Sequence, residues 1–400
     1  MSYRLIDIIL KDEKKTDEEK KKIIGRLLKT KEEIDRLAKE KDISVFEAIE
    51  SIAEEKNIDI EPIKYDTLRE AVEKGVGWLK SEQHTNNGWG WDILQMFKYK
   101  IPENELKKST LTTAWSTSVS ILALNEWQKY SGDQDHLLKE IIKRGIEYLK
   151  KNCNQDSCWG PYPLDLPSFK ENTNVFDTSI SVLAILGIEK DVEFVSKAVE
   201  KLQSLQKENG GWAPSEEDEK NDVGATSLAI QALIKYNQTD KWWHPKKNIE
   251  KGIKWLIENQ QDGGWSDGEK GSGVSFLTRT YDALEALVRY DPEFNGPRIK
   301  EAVEKGIEWL LDSIRFESED EIGLAWRSDK IEMSDIENTA TAIIALLDCG
   351  VDPTSLEIEE GIKWLLERQK EDGRWGSVGF DTPCVILCLI KFMEKMYGKR

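Results

Sequence analysis

Lys251-Gly252-Ile253-Lys254-Trp255-Leu256-Ile257-Glu258-Asn259-Gln260-Gln261-Asp262-Gly263-Gly264-Trp265 is the stretch whose reading decides the fold. From Lys251 to Gln260 the apolar and aromatic positions recur at helical spacing with charges between them, which predicts an amphipathic helix of about three turns. Gly263-Gly264 stops that helix, because glycine adopts the left-handed geometry of a C-cap without steric penalty. Trp265 is then expected to fold back under the helix it has just left. The long Gln260 side chain is placed to hydrogen-bond backbone of the turn or of the next unit.

The phrase recurs six times at intervals of about 50 to 70 residues. Two further clear copies are Lys74-Gly75…Trp78-Leu79…Gln83…Gly88-Trp89 and Gly361…Trp364-Leu365…Gln369…Gly373…Trp375. Looser copies are Arg144-Gly145…Tyr148-Leu149…Trp159, Lys201-Leu202…Leu205-Gln206…Gly210-Gly211-Trp212 and Lys305-Gly306…Trp309-Leu310…Trp326. Periodicity of this kind means repeats that each bury an apolar face only against their neighbours.

Each clasp is followed by a second helix rich in Ala, Ser and Thr and almost free of Lys, beginning near Thr112, Asp177, Asp222, Thr278, Asn338 and Asp381. Runs such as Ser181-Val182-Leu183-Ala184-Ile185-Leu186 mark helices buried on nearly all sides. Alternating charged and buried helices in six pairs predict two concentric rings. The expectation is an all-α (α/α)6 toroid over residues 66–400, with an N-terminal helical extension over residues 1–65.

The phrase resembles the Gln-Trp motif of squalene-hopene and oxidosqualene cyclases, and residues 66–400 as a whole resemble the terpene cyclase and prenyltransferase β-subunit superfamily. Class II cyclases of that family protonate an isoprenoid alkene with an aspartic acid in an Asp-x-Asp-Asp-Thr-Ala motif at the start of an inner helix. Such chemistry needs a carboxyl kept protonated by crowding and burial, and an aromatic cavity to hold the cation. Asp335-Ile336-Glu337-Asn338-Thr339-Ala340 is the matching segment. Carried over position by position, Glu337 is the general acid, with Asp335 and Asn338 as its partners. This sequence departs from the motif in two places: Glu replaces Asp at the acid, and Asn338 removes a charge.

A second reading of the same acidic residues is architectural. Asp177, Asp222 and Asp381 also begin inner helices, where Asp, Ser and Thr cap the N-terminus. For Asp335 and Glu337 both readings, cap and mouth lining or protonating acid, stay open. The same is true of the aromatics on inner helices and mouth loops. Trp91, Trp115, Phe176, Phe276, Tyr281 and Phe380, with Asp177 beside them, either line a cavity for an apolar ligand or fill the axis.

The prenyltransferase branch is set aside. Its zinc site requires Asp-x-Cys and a later His, whereas Asp381-Thr382-Pro383-Cys384 has one residue too many and no His follows His244. No metal and no cofactor are expected.

A formal net charge of −18 argues against nucleic-acid binding, whose phosphates need a basic surface. With no run of 18 apolar residues, no membrane span is expected, and the N-terminus lacks a signal-peptide pattern. Five cysteines without framework spacing fit a reducing cytoplasm; Cys153 and Cys158, beside a clasp turn, read as two free thiols or, if oxidised, as a bridge.

In the extension, Thr16-Asp17-Glu18-Glu19 is a capping box, and mixed-charge amphipathic helices follow. They are expected to pack on the outer wall or to mediate dimerisation or a protein contact. The functional expectation is a class II-type isoprenoid cyclase acting on an isoprenoid or other apolar small molecule; the alternative is a non-catalytic toroid that binds a lipid or protein partner.

Overall fold

The computed structural model describes residues 63–90, 111–132, 135–164, 173–239, 246–268, 276–316, 324–326, 334–376 and 380–398. Trp91 and nearly all of the expected extension lie outside these residues. The described helices are, in chain order, α1 Tyr65–Ser81, α2 Ala114–Ser131, α3 His136–Lys151, α4 Val175–Ile188, α5 Val192–Ser204 and α6 Val223–Thr239. They continue as α7 Lys246–Glu258, α8 Leu277–Tyr290, α9 Pro297–Asp312, α10 Asp335–Asp348, α11 Leu356–Glu367 and α12 Asp381–Tyr397.

Even-numbered helices form the inner ring. α2 packs on α4, α4 on α6, α6 on α8, α8 on α10, α10 on α12, and α12 returns to α2, so the ring is closed. The odd-numbered helices form the outer ring, and their sequences show why. In α3 the buried positions Leu138, Ile141, Ile142, Gly145, Ile146, Tyr148 and Leu149 make one stripe, and mostly Lys, Arg and Glu occupy the rest. The inner helix α4 is buried on almost every face, as its aliphatic run predicts. A short antiparallel pair, β1 Ile314–Phe316 with β2 Leu324–Trp326, intervenes between α9 and α10; it was not anticipated from the sequence.

Every clasp is built alike. The indole N–H of Trp89, Trp159, Trp212, Trp265, Trp326 and Trp375 donates at 2.6–3.0 Å to the carbonyl of Leu79, Leu149, Leu202, Leu256, Leu310 and Leu365 on the preceding outer helix. The backbone N–H of each Trp donates to a threonine hydroxyl on the next inner helix, in order Thr117, Thr178, Thr226, Thr280, Thr339 and Thr382, at 2.9–3.2 Å. The inner-helix threonines are therefore clasp partners rather than helix caps.

The glutamine does both things expected of it. Gln260 Nε2 donates to Gly263 O in its own turn and to Ala302 O in α9, at 2.9 and 2.8 Å. Gln83 and Gln206 repeat the bridge to α3 and α7. Gln369 closes the circle by bonding Gly373 O and Ala71 O of α1. Here Gly373, at φ 93°, lies so close to α1 that a Cβ would fall 2.4 Å from Lys74 O.

The tryptophan edge packs on the next outer helix at a glycine. A Cβ at Gly145 would stand 2.8 Å from the Trp89 ring, and Gly252 meets Trp212 in the same way. In the third copy the Trp212 bond to Leu202 O fixes the register, so Ala198 occupies the glycine position and the copy begins before Lys201. We expect Gly145→Val to lower stability by about 2 kcal/mol, because the added methyls overpack against an indole with no room to retreat. A urea midpoint unchanged from wild type would contradict this contact.

Candidate active site along the ring axis

The clasp threonines put all six inner helices in a common register. Two positions before each stand Trp115, Phe176, Gly224, Thr278, Glu337 and Phe380. One turn deeper, two positions after, stand Val119, Ile180, Leu228, Asp282, Thr341 and Cys384. A turn below these are Leu122, Leu183, Gln231, Glu285, Ile344 and Leu387.

Exposure shows that these layers face the axis. Val119, Ile180, Leu183 and Leu228 keep 8% exposure each, whereas their neighbours Ile121, Val182, Ile185 and Ile230 keep 0%. Charges act across the ring as well: Glu285 on α8 is influenced by Lys391 on α12, and Tyr281 on α8 by Cys384 on α12, with α10 between them in sequence order around the ring. The residues of one layer therefore surround a shared space.

Glu337 stands in the uppermost layer with Trp115, Phe176 and Phe380. Burial pushes its carboxyl up to about 8, and the nearby carboxylates of Asp381 and Asp282 push in the same direction. Ser334 caps α10 by accepting the Glu337 backbone N–H at 3.0 Å, and its hydroxyl donates to fully buried Asp381. Asp381 thus stands beside the acid rather than capping α12, whose first turn has no side-chain cap. Asn338 is 0% exposed, and neither atom of its amide meets a hydrogen-bond partner among the described residues.

One turn down, burial raises Asp282 to about 7 against the opposing pull of Arg279. Arg279 gathers three carboxylates, Asp267 at 3.0 Å, Asp282 at 3.4 Å and Asp222 at 3.5 Å, and its guanidinium sits 5.7 Å over the Phe176 ring. Gly224 makes room for this cluster, since a Cβ there would lie 2.9 Å from Arg279, Asp282 and Phe176 alike. Arg279 was missed in the sequence, though a basic residue in the first turn of an inner helix, where the other five have none, was the available signal. Asp222 does cap α6, accepting Ala225 N at 2.8 Å.

The remaining expected residues are distributed as follows. Trp115 and Phe380 meet edge to face at 6.4 Å within the top layer. Tyr281 lies one position after the clasp threonine and is buried, its hydroxyl interacting with Thr341 and Glu337 of the axial layers. Phe276 precedes α8 and donates its backbone N–H to Trp265 O. Asp335 is two residues from Glu337, on the far side of α10, and its carbonyl accepts the Thr339 hydroxyl at 2.7 Å. Asp177 is buried one position off the axial layer, and backbone N–H groups of Trp115 and its own residue bond its carboxyl. Among the described residues, Trp115, Phe176 and Phe380 stand in the top layer, and the deeper layers are mainly aliphatic with one acid each, Asp282 and Glu285.

Burial alone raises Asp177 to about 8 against those bonds. A folded-state value above the unfolded one contributes stability that is present at low pH and lost as pH rises through about 8. Asp177→Asn is therefore expected to raise Tm more at pH 9 than at pH 5, read by thermal unfolding at the two pH values. An equal shift at both would show that Asp177 is not held protonated.

This closed double ring with six Gln-Trp clasps is an α/α toroid that resembles those of the terpene cyclase and prenyltransferase superfamily. Residues 56–172 match the squalene-hopene cyclase C-terminal domain, and residues 267–384 match the prenyltransferase alpha-alpha toroid domain. The squalene–hopene cyclase of Bradyrhizobium diazoefficiens is 23% identical over 242 residues, which is 56% of this chain and 34% of that protein. The chain spans little more than a third of the length of the curated relatives it matches.

Among solved structures, the type II terpene cyclase MstE from Scytonema superposes with a TM-score of 0.57 at 14% identity, covering 82% of this chain and 98% of that one. MstE has also been solved with geranylgeranyl dihydroxybenzoate as its substrate. The GH76A α-1,6-mannanase of Salegentibacter superposes with a TM-score of 0.55 at 11% identity, covering 81% and 98%. At these identities the superpositions establish the toroid alone. No helix among the described residues is long and apolar enough to cross a membrane.

Proposed function

We propose that the chain is a class II-type isoprenoid cyclase in which Glu337, in its carboxylic acid form, protonates a terminal alkene at the mouth of the ring. The observation that carries this reading is an axis-facing carboxyl held up to about 8, in one layer with Trp115, Phe176 and Phe380. An acid kept protonated at neutral pH is what alkene protonation demands. The proton on Glu337 becomes a new C–H bond, and the resulting carbocation is attacked by the next double bond, which closes a ring. The faces of the three aromatics stabilise the first cation. Loss of a proton from the last cation to water ends the sequence, Glu337 is reprotonated from solvent, and the net change is isomerisation. Asp381 is the positioning and tuning carboxylate, and Asp335 has no contact with the reacting carbons.

The test is incubation of the purified chain with farnesol, geranylgeraniol and squalene. Cyclised products by gas chromatography with mass detection are expected from at least one of them. Folded protein that binds an isoprenoid and returns it unchanged would replace this reading with that of a non-catalytic, lipid-binding toroid.

A further inference from the structure

The space on the axis continues below Glu337 on one side of the ring. In the second layer Val119, Ile180 and Leu228 keep only 8% exposure each, whereas Asp282, Thr341 and Cys384, from α8, α10 and α12, are half-buried, as are Trp115, Phe176, Glu337 and Phe380 above them. A hydrocarbon entering at the mouth meets these three polar side chains next, four residues or about 6 Å further down the helices.

Of the three, only Asp282 is suited to take up a proton. The Thr341 hydroxyl already donates to Glu337 O at 2.7 Å, and burial pushes the Cys384 thiol well above its ordinary range, so it stays neutral. Asp282 has a cation beside it: Arg279 Nη1 lies at 3.4 Å and opposes the effect of burial, which leaves the carboxyl at about 7. Glu337 is treated the opposite way, since burial, Asp381 and Asp282 all act to keep its proton on. Two carboxyls on neighbouring helices whose surroundings set them apart like this divide into an acid and a base.

We propose that Asp282 is the general base of the final step, acting on the water that removes the last proton. The inference rests on the cyclase reading and assigns a residue to the step at which that reaction needs a proton acceptor. Ring closure carries positive charge away from the first carbon and down the axis, where the Asp282 carboxylate stabilises it. The C–H bond next to the last cation then breaks. Its electron pair becomes the new alkene, its proton passes to water, and that water gives up a proton to Asp282, which releases it to solvent. Arg279 is the positioning residue, anchored also on Asp267 at 3.0 Å and Asp222 at 3.5 Å. Gly224 leaves room for the carboxylate, because a Cβ there would lie 2.9 Å from Asp282 Oδ2.

A base fixed in the wall removes one proton among the several on neighbouring carbons, whereas loose water takes any of them. One alkene isomer should therefore dominate. The charged groups that face Asp282 are Arg279 and Glu285 on its own helix, Asp222 from α6, Glu337 from α10 and, through Arg279, Asp267. Asp282 accepts a proton only when ionised, above about 7, and Glu337 donates only when protonated, below about 8. Because Asp282 acts after ring closure, its titration changes which product leaves, and the first protonation keeps the pH dependence of Glu337.

The experiment incubates the full chain with farnesol, geranylgeraniol and squalene and resolves the alkene isomers by gas chromatography with mass detection. Between pH 8 and pH 5 the ratio of the main isomer to the others is expected to fall at least about tenfold for the wild type. Asp282→Asn at pH 8 should give the same fall, with alcohols from water capture in the mixture, while substrate is still consumed. Asp282→Glu, which keeps the carboxylate, should restore part of the selectivity. The wild-type pH series decides the matter even if the Asn variant does not fold. Product whose isomer ratio holds from pH 8 to pH 5, or survives Asp282→Asn, would remove Asp282 alone and leave Glu337 as the acid. No product from the wild type would end this assignment together with the cyclase reading.

Discussion

Glu337→Gln is expected to lower turnover at least 10³-fold while the toroid stays folded. General acids typically contribute 10²–10⁴ in rate, and here the same proton also starts the reaction. Glutamine keeps the length and polarity of the side chain and removes only the transferable proton, so bound substrate should be retained. The wild-type pH profile carries the same argument. Glu337 acts as the protonated form, so kcat/KM should be level at low pH and fall about tenfold per unit above about 8. Asp381→Asn removes a negative neighbour that raises Glu337, and the descending limb should move to lower pH. Retained product formation in the Gln variant, or a limb unmoved by Asp381→Asn, would take the acid's role away from Glu337.

Trp375→Ala should cost about 3–5 kcal/mol, the range for removing a buried aromatic of this size. Three losses coincide: the indole bond to Leu365 O at 2.7 Å, the packing of the ring edge on Gly75, and the shielding of the Trp375 N–H bond to Thr382. The position is the seam where the last repeat meets the first. Trp375→Phe, which keeps most of the apolar area and loses the indole donor, should cost about 1 kcal/mol. Urea unfolding of both variants checks the pair, and a Trp375→Ala cost below that of the Phe variant would show that the seam does not hold the ring closed.

Repetition made most of the fold legible. Gln260 and Trp265 recur in one phrase, and six phrases separated by helices poor in lysine leave little but a closed double ring. Glu337 was singled out by the resemblance, and the structure places it in the top axial layer. Asp381 was not, because a carboxylate at a helix start has a sufficient local explanation as a cap; only the packing of α12 on α10 brings it beside Ser334 and Glu337. The inward faces of the inner helices could not be phased from hydrophobicity, since these helices are apolar all round. Their phase was nonetheless written in Thr117, Thr178, Thr226, Thr280, Thr339 and Thr382, whose shared role emerges only with the tryptophan N–H groups that bind them. The third repeat was misphased because alanine at position 198 hides the glycine that marks the others.

The first and last helices of the ring meet through Tyr65 and Tyr397, whose rings stand edge to face at 5.3 Å while Tyr397 Oη donates to Ile63 O at 2.8 Å. Gln369 spans the same junction to Ala71. A circle stitched this way has no privileged starting hairpin. The polypeptide can be spliced tail to head at the tyrosines and cut anew between α4 and α5 at Glu189–Asp191, and this permuted molecule should assemble the same doughnut with its acid still at the mouth.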